Sequence, residues 1–267
     1  PLPPSLRREL PQVILSRVLA VVAHLGLVLG LLTIGWSHFE KPILGIAMAV
    51  CYVIVPYTRM ALVDSGQLIS AALIVGALIV HQRPALAGAL IGLSAGWIPA
   101  CLGLIALWAG YYRGRGMLWF LATAIGIVLI CATLGLWVPE LSHWASALGA
   151  RSISEVGLLP WTDPTPTGSF WLEIDRSFRL PVLIAYLALV IVVSIWPMGK
   201  NFGELIALSA ALLVASQFWY LDKGGTLVML YLPLVIAMMF RPTILARRQA
   251  TPTILRGSSR NPATPLA

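Results

Sequence analysis

Long apolar runs separated by short polar turns repeat along this chain. The pattern is clearest over residues 61–116. There ALVDSGQLISAALIVGALIV leads to the polar turn HQRP, then ALAGALIGLSAGWIPACLGLIALWAG, then the basic YYRGRG. These are two apolar runs of membrane-spanning length around a four-residue turn. In the second run Gly88, Gly92 and Gly96 recur every four residues and share one helix face, with Ala85, Ala89 and Ala95 close by. A face of such small residues lets another helix approach at backbone distance, which drives association in lipid. The hairpin is therefore expected to form the packed centre of a bundle.

Extended to the whole chain, the pattern predicts an all-α, polytopic integral membrane bundle of about eight transmembrane helices. They fall at residues 13–35, 42–57, 68–80, 85–109, 117–138, 180–196, 202–220 and 226–240. Several lie near the ~17-residue lower limit for a helix crossing ~30 Å of hydrocarbon. Pro99 is expected to kink the fourth. The first carries a second small pair, Gly26 and Gly30, and reads as an uncleaved span, too long for a signal-peptide core. Residues 1–12 form a basic lead-in and 241–267 a basic tail rich in Pro, Ser and Thr. Between spans five and six, residues 139–179 form the one sizeable loop. Leu141, Trp144 and Leu148 make one helical stripe within it, and Phe170, Ile174 and Phe178 another, so two short helices lying in the interface are expected. WTDPTPTG between them reads as irregular, and Trp137, Trp144, Trp161 and Trp171 fit an aromatic belt.

Composition supports this reading. Apolar residues make up 59% and charged residues 10%, where a soluble domain carries about a quarter charged. The net charge of +8 is spread between the apolar runs and not along one basic face, which excludes a nucleic-acid partner. Cys51, Cys101 and Cys131 sit inside apolar spans without a CxxC pair and read as core residues. With eight crossings, 12 of the 18 basic residues fall on the side of the two termini and 6 on the other, while seven of the ten acids join the second group. Both termini are then expected at the cytoplasmic face of a bacterial-type inner membrane, with the 139–179 loop outside. A tail of this composition does not fold alone. Other membrane protein subunits are expected to contact the two tails, together with membrane lipids.

Reactive groups are few. His24 lies mid-depth in the first span, either as a neutral imidazole bonded to a neighbouring helix or as a haem or chlorophyll ligand. No second histidine lies at its depth. His38, His81 and His143, with Glu40 and Glu140, are expected at the outer ends of spans, without the local spacing of a metal site. Asp64-Ser65-Gly66-Gln67 breaks spans two and three and reads either as a helix cap or as a polar contact for a head group. Asp222 and Lys223 end the seventh span and are expected to pair in a turn. No phosphate loop, hydrolase motif or zinc motif is present, and no cofactor is implied beyond bound lipid. No span carries the buried acid or arginine of an ion pathway.

Several features in order resemble a known family. They are Pro56 ending a span, Gly66-Gln67 opening the next, Arg83-Pro84 in the turn, the small-residue run from Ala87 to Pro99, the basic Arg113–Arg115 loop, and the late run SQFWYLDKGGTLVMLYLPLVIAMMF. Over about residues 42–240 the chain is similar to the polyprenol-phosphate-sugar-dependent glycosyltransferases of GT-C fold, the mannosyltransferase-like group. That resemblance implies transfer of a sugar from a lipid carrier at the outer face, with an acid as general base. The candidates are Glu40, the sole acid of the short first outer loop, and Asp163, Glu173 and Asp175 in the long loop. The chain departs from the family where a lysine is expected in the small-residue span, with Trp97 near its place, and in the short first outer loop. The catalytic front half is thus reduced. The reading that follows is a non-catalytic accessory subunit of a larger membrane complex. An active glycosyltransferase is the alternative, and a pigment or haem carrier through His24 the second.

Overall fold

The computed structural model describes residues 4–60, 65–151, 178–219 and 227–240. Among them every regular element is helical. The order is α1 (Pro4–Thr33), extended by a π-turn (Ile34–His38), α2 (Pro42–Ile54), α3 (Pro56–Met60), α4 (Ser65–Ile79) and α5 (Pro84–Trp97). A 3-10 turn (Pro99–Cys101) leads into α6 (Leu102–Tyr111). There follow α7 (Arg115–Trp137), α8 (Pro139–Ala147), α9 (Arg179–Ile195), α10 (Phe202–Ser216) and α11 (Val228–Met239). Prolines open α2, α5 and α8, where their preset φ suits the first helical turn and the missing N–H has no partner to lose. Helix α1 starts at Pro4 and runs through Pro11, well before the expected start of the first span at residue 13.

The bundle is apolar inside and out. Leu27, Leu31, Met48, Tyr52, Ile74, Ile91 and Trp108 fill its core. Its outer faces expose Val18, Val22, Leu25 and Leu29 on α1, Ile43 and Ile54 on α2, Leu118, Leu129 and Trp137 on α7, and Ile184 and Ile191 on α9. Among the described residues two stretches are long and apolar enough to cross a membrane, Leu10–His38 and Gly116–Trp137. The remaining apolar helices described have 10–17 residues.

The fourth expected span is not one helix kinked at Pro99. The chain reverses at Ile98–Cys101 and returns. Gly88 faces Phe120 and Thr123, Gly92 faces Ala124 and Gly96 faces Cys131, so α5 and α7 run parallel. Two parallel helices joined in sequence need a return path, which α6 supplies. Accordingly the Tyr112 hydroxyl donates to the carbonyl of His81, and Gly116 lies against Pro84. The 111–115 turn thus sits beside the 80–83 turn, and residues 138–151 lie at the end of the bundle where Ser16 and Ser65 meet. The twelve-to-six division of basic residues assumed a single crossing here and no longer follows. Nor does the expected separation of the long loop from the first part of α1.

Glycine sets the closest approaches. On α5 a Cβ at Gly92 would lie 2.5 Å from the Ala124 carbonyl oxygen, and one at Gly88 2.5 Å from that of Phe120. On α1 a Cβ at Gly30 would lie 2.5 Å from Val75 of α4, whereas Gly26 has only Ala72 at 4.0 Å. Helix α10 begins with a capping box: the Asn201 side chain accepts from Glu204 N at 2.8 Å, and Asn201 N donates to the Glu204 carboxylate at 3.0 Å. Asn201→Ala should cost about 1 kcal/mol, read as a fall of roughly 2–4 °C in the thermal unfolding midpoint in detergent.

Candidate functional site

A cleft of about 860 Å³ is walled by α5, α7 and α8. Its floor is made of small and aliphatic residues: Ala95 and Gly96 from α5, and Val128, Cys131, Ala132 and Gly135 from α7. Its opposite wall is α8. That helix exists because Pro139 restarts the chain after Val138, whose φ of −124° ends α7. None of its residues is fully buried, as befits a short helix with one apolar stripe. It turns Ser142, His143 and Ser146 toward the cleft, and Arg151 completes the lining.

Residues 148–151 are held tightly. Ser65 Oγ donates to Leu148 O at 2.8 Å and bonds Ser16 Oγ at 2.9 Å, and Arg151 N donates to Trp97 O at 2.9 Å. Gly66 lies directly under the Gly149 carbonyl, where any Cβ would collide. The cleft wall is thus tied to α1, α4 and α5 at once. The hydroxyls of Ser142 and Ser146 donate back to Pro139 O (2.8 Å) and His143 O (3.1 Å), which leaves their lone pairs as acceptors. A long apolar floor with a few convergent polar groups at one side suits an amphiphile: chain on the floor, head group near His143 and Arg151.

The residues singled out from sequence fall in different places. Gly66 and Gln67 open α4 and are buried, Gly66 beneath the 148–151 segment. Gly26 and Gly30 face α4, and Gly88, Gly92 and Gly96 face α7. His24 Nδ1 pairs with the Tyr52 hydroxyl of α2 at 2.8 Å, and its Nε2 is buried without a hydrogen-bond partner among the described residues. Glu40 sits in the turn after the π-turn with a φ of +54°, far from the cleft. His38 and His81 meet at that same end, while His143 lines the cleft at the other. The five-residue outer cluster with Glu40 and Glu140 is therefore not assembled. Asp163, Glu173 and Asp175 lie outside the described residues, as do Asp64, Asp222, Lys223, the second expected interfacial helix, Trp161, Trp171 and the tails.

Two buried cations escaped the sequence reading. Arg179, 5% exposed at the start of α9, donates from Nε to Trp219 O at 3.1 Å. Lys200, 7% exposed, donates from Nζ to Ser194 O at 2.9 Å and so closes the last turn of α9. Burial and the neighbouring Arg113 hold the Lys200 amine below the usual lysine range, against the pull of Glu204. A cation a few residues outside an apolar run looks like an ordinary flank, and only the tertiary packing buries it.

No protein-family model, curated protein or solved structure matches this chain.

Proposed function

We propose that this chain is a multi-pass membrane protein that holds a lipid in the α5–α7–α8 cleft and acts as a non-catalytic, accessory subunit of a larger membrane assembly. The observation that carries this reading is the cleft itself, apolar along its floor and polar along α8. The exposed apolar faces of α1, α2, α7 and α9 support it, because a bundle hydrophobic on all sides needs lipid or protein around it. Helices of 10–17 residues cover less than ~30 Å of hydrocarbon, so the bilayer thins around them or partner helices cover their ends. Lipid extracted from protein purified in mild detergent tests the cleft. Ala132→Trp and Gly135→Trp fill its floor and should lower co-purified lipid about fivefold, with the elution volume unchanged, since no side chain packs within 4 Å of Gly135. Equal lipid in both proteins removes the cleft from the proposal, and purification from native membranes without a stoichiometric partner removes the accessory role.

The transferase reading keeps one specific observation. Arg151 lines the cleft and leads directly into the segment that carries Asp163, Glu173 and Asp175. Under that reading one of these acids acts as general base on a sugar carried by the lipid. Changing each acid to its amide and following sugar transfer in isolated membranes decides it. Loss with one variant establishes an enzyme, and unchanged product across all of them ends the idea.

A further inference from the structure

At the end of the bundle away from the cleft, two imidazoles meet. The π-turn closes α1 with Phe39 N donating to Ile34 O at 3.1 Å and Lys41 N to Gly35 O at 3.0 Å. Such turns are rare and concentrate at functional positions. This one carries His38 to the α4–α5 turn, where its Nε2 lies 3.1 Å from His81 Nδ1. Phe202 of α10 packs on both rings, stacked on His38 at 4.8 Å and tilted against His81 at 4.5 Å. The Tyr111 ring lies 6.4 Å from His81, and Tyr112 donates to the His81 carbonyl. The ends of α1, α4, α6 and α10 therefore converge on one ring pair.

The hydrogens can be assigned from the carbonyls, which only accept. Ser37 Oγ lies 2.7 Å from Thr33 O and gives its proton there, so its 2.6 Å contact with His38 Nδ1 is an N–H donating to Oγ. That leaves His38 Nε2 as a bare acceptor. His81 Nδ1 lies 2.9 Å from Leu78 O, carries its hydrogen, and shares it with His38 Nε2. His38 is thus neutral, and the His81 Nδ1 hydrogen bridges the two rings.

We propose that the His38–His81 bridge is an acid-released clasp tying the end of α1 to the α4–α5 turn and the start of α10. A proton on His38 Nε2 sets N–H against N–H, and the bridge breaks. A proton on His81 Nε2 leaves it closed, because the Nδ1 hydrogen still points at His38. The charged and titratable groups on the surrounding elements are Glu40 and Lys41 after the π-turn, Arg83 in the α4–α5 turn, Tyr111, Tyr112 and Arg113 after α6, and Lys200 and Glu204 at the start of α10. Of the two carboxylates, Glu204 is engaged by Asn201. Burial also holds His81 below the ordinary histidine value, against the raising effect of the Leu78 carbonyl. Because a proton on His38 Nε2 costs the bridge, the closed end takes up that proton less readily than a free histidine does: its stability is present above about pH 6.5 and is lost as pH falls below that value.

Hydrogen exchange of the full chain in lipid nanodiscs at about pH 7.5 and about pH 5, with labelling times corrected for intrinsic exchange, tests the clasp. Residues 34–41 should exchange about tenfold faster at the lower pH, while residues 84–97 keep their protection. His38→Gln places an amide oxygen opposite His81 that does not titrate, and its 34–41 segment should be equally protected at both pH values. Unchanged protection in the wild type overturns the clasp. So does equal acid loosening in His38→Gln, and so does acceleration of 84–97 to the same extent, which marks general unfolding.

Discussion

Gly92→Ala should lower the thermal midpoint of the detergent-solubilised protein by roughly 6–12 °C, the equivalent of about 3 kcal/mol. The added Cβ would meet the Ala124 carbonyl oxygen at 2.5 Å and the Ala124 Cα at 2.9 Å. Both are backbone atoms of a packed helix and cannot swing aside. Relief requires α5 and α7 to separate, and Gly88 and Gly96 hold the same interface on either side. Small-residue contact of this kind lets two helices pack at backbone distance. Gly126→Ala is the control: a Cβ there meets nothing within 4 Å, so the change should be neutral or add up to about 1 kcal/mol of helix propensity. Similar midpoints for the two variants would mean that α5 and α7 are not in backbone contact.

Gly66→Ala should free the cleft wall without unfolding the bundle. Its Cβ would lie 2.7 Å from the Gly149 carbonyl carbon and 2.9 Å from its Cα, with the carbonyl oxygen closer still. The 148–151 segment must lift, and the adjacent Ser65–Leu148 hydrogen bond goes with it. Cys131 lines the cleft and reports the change. With Cys51 and Cys101 changed to serine, maleimide labelling of Cys131 should quicken severalfold, while stability falls by about 1–3 kcal/mol. Unaltered labelling would show that the segment is not seated on α4.

The same two glycines show what was legible in the chain. Four-residue spacing marked Gly88, Gly92 and Gly96 as one face, because helical periodicity is local. Gly66 stood out as one of four residues in a polar break and as part of the Gly66-Gln67 pair; nothing near it in sequence reveals that residues 148–151 land on it. The cleft had no signature either, since its floor is alanine and glycine of the kind found throughout the apolar runs. His24 beside Tyr52, and His38 beside His81, join residues 28 and 43 positions apart, and no local pattern encodes such a pairing.

Helical content, and the apolar side chains exposed on α1, α2, α7 and α9, were set by the sequence alone: long apolar runs with polar turns allow little else. Tertiary structure decided the path of residues 84–112. Pro99 breaks a helix whether the chain then continues or turns back, and both outcomes satisfy the same local preferences. Turning back lets the glycine face of α5 lie parallel against α7 while α6 packs beside α9. That return brought residues 139–151 to the end where α1 begins, and with them built the cleft.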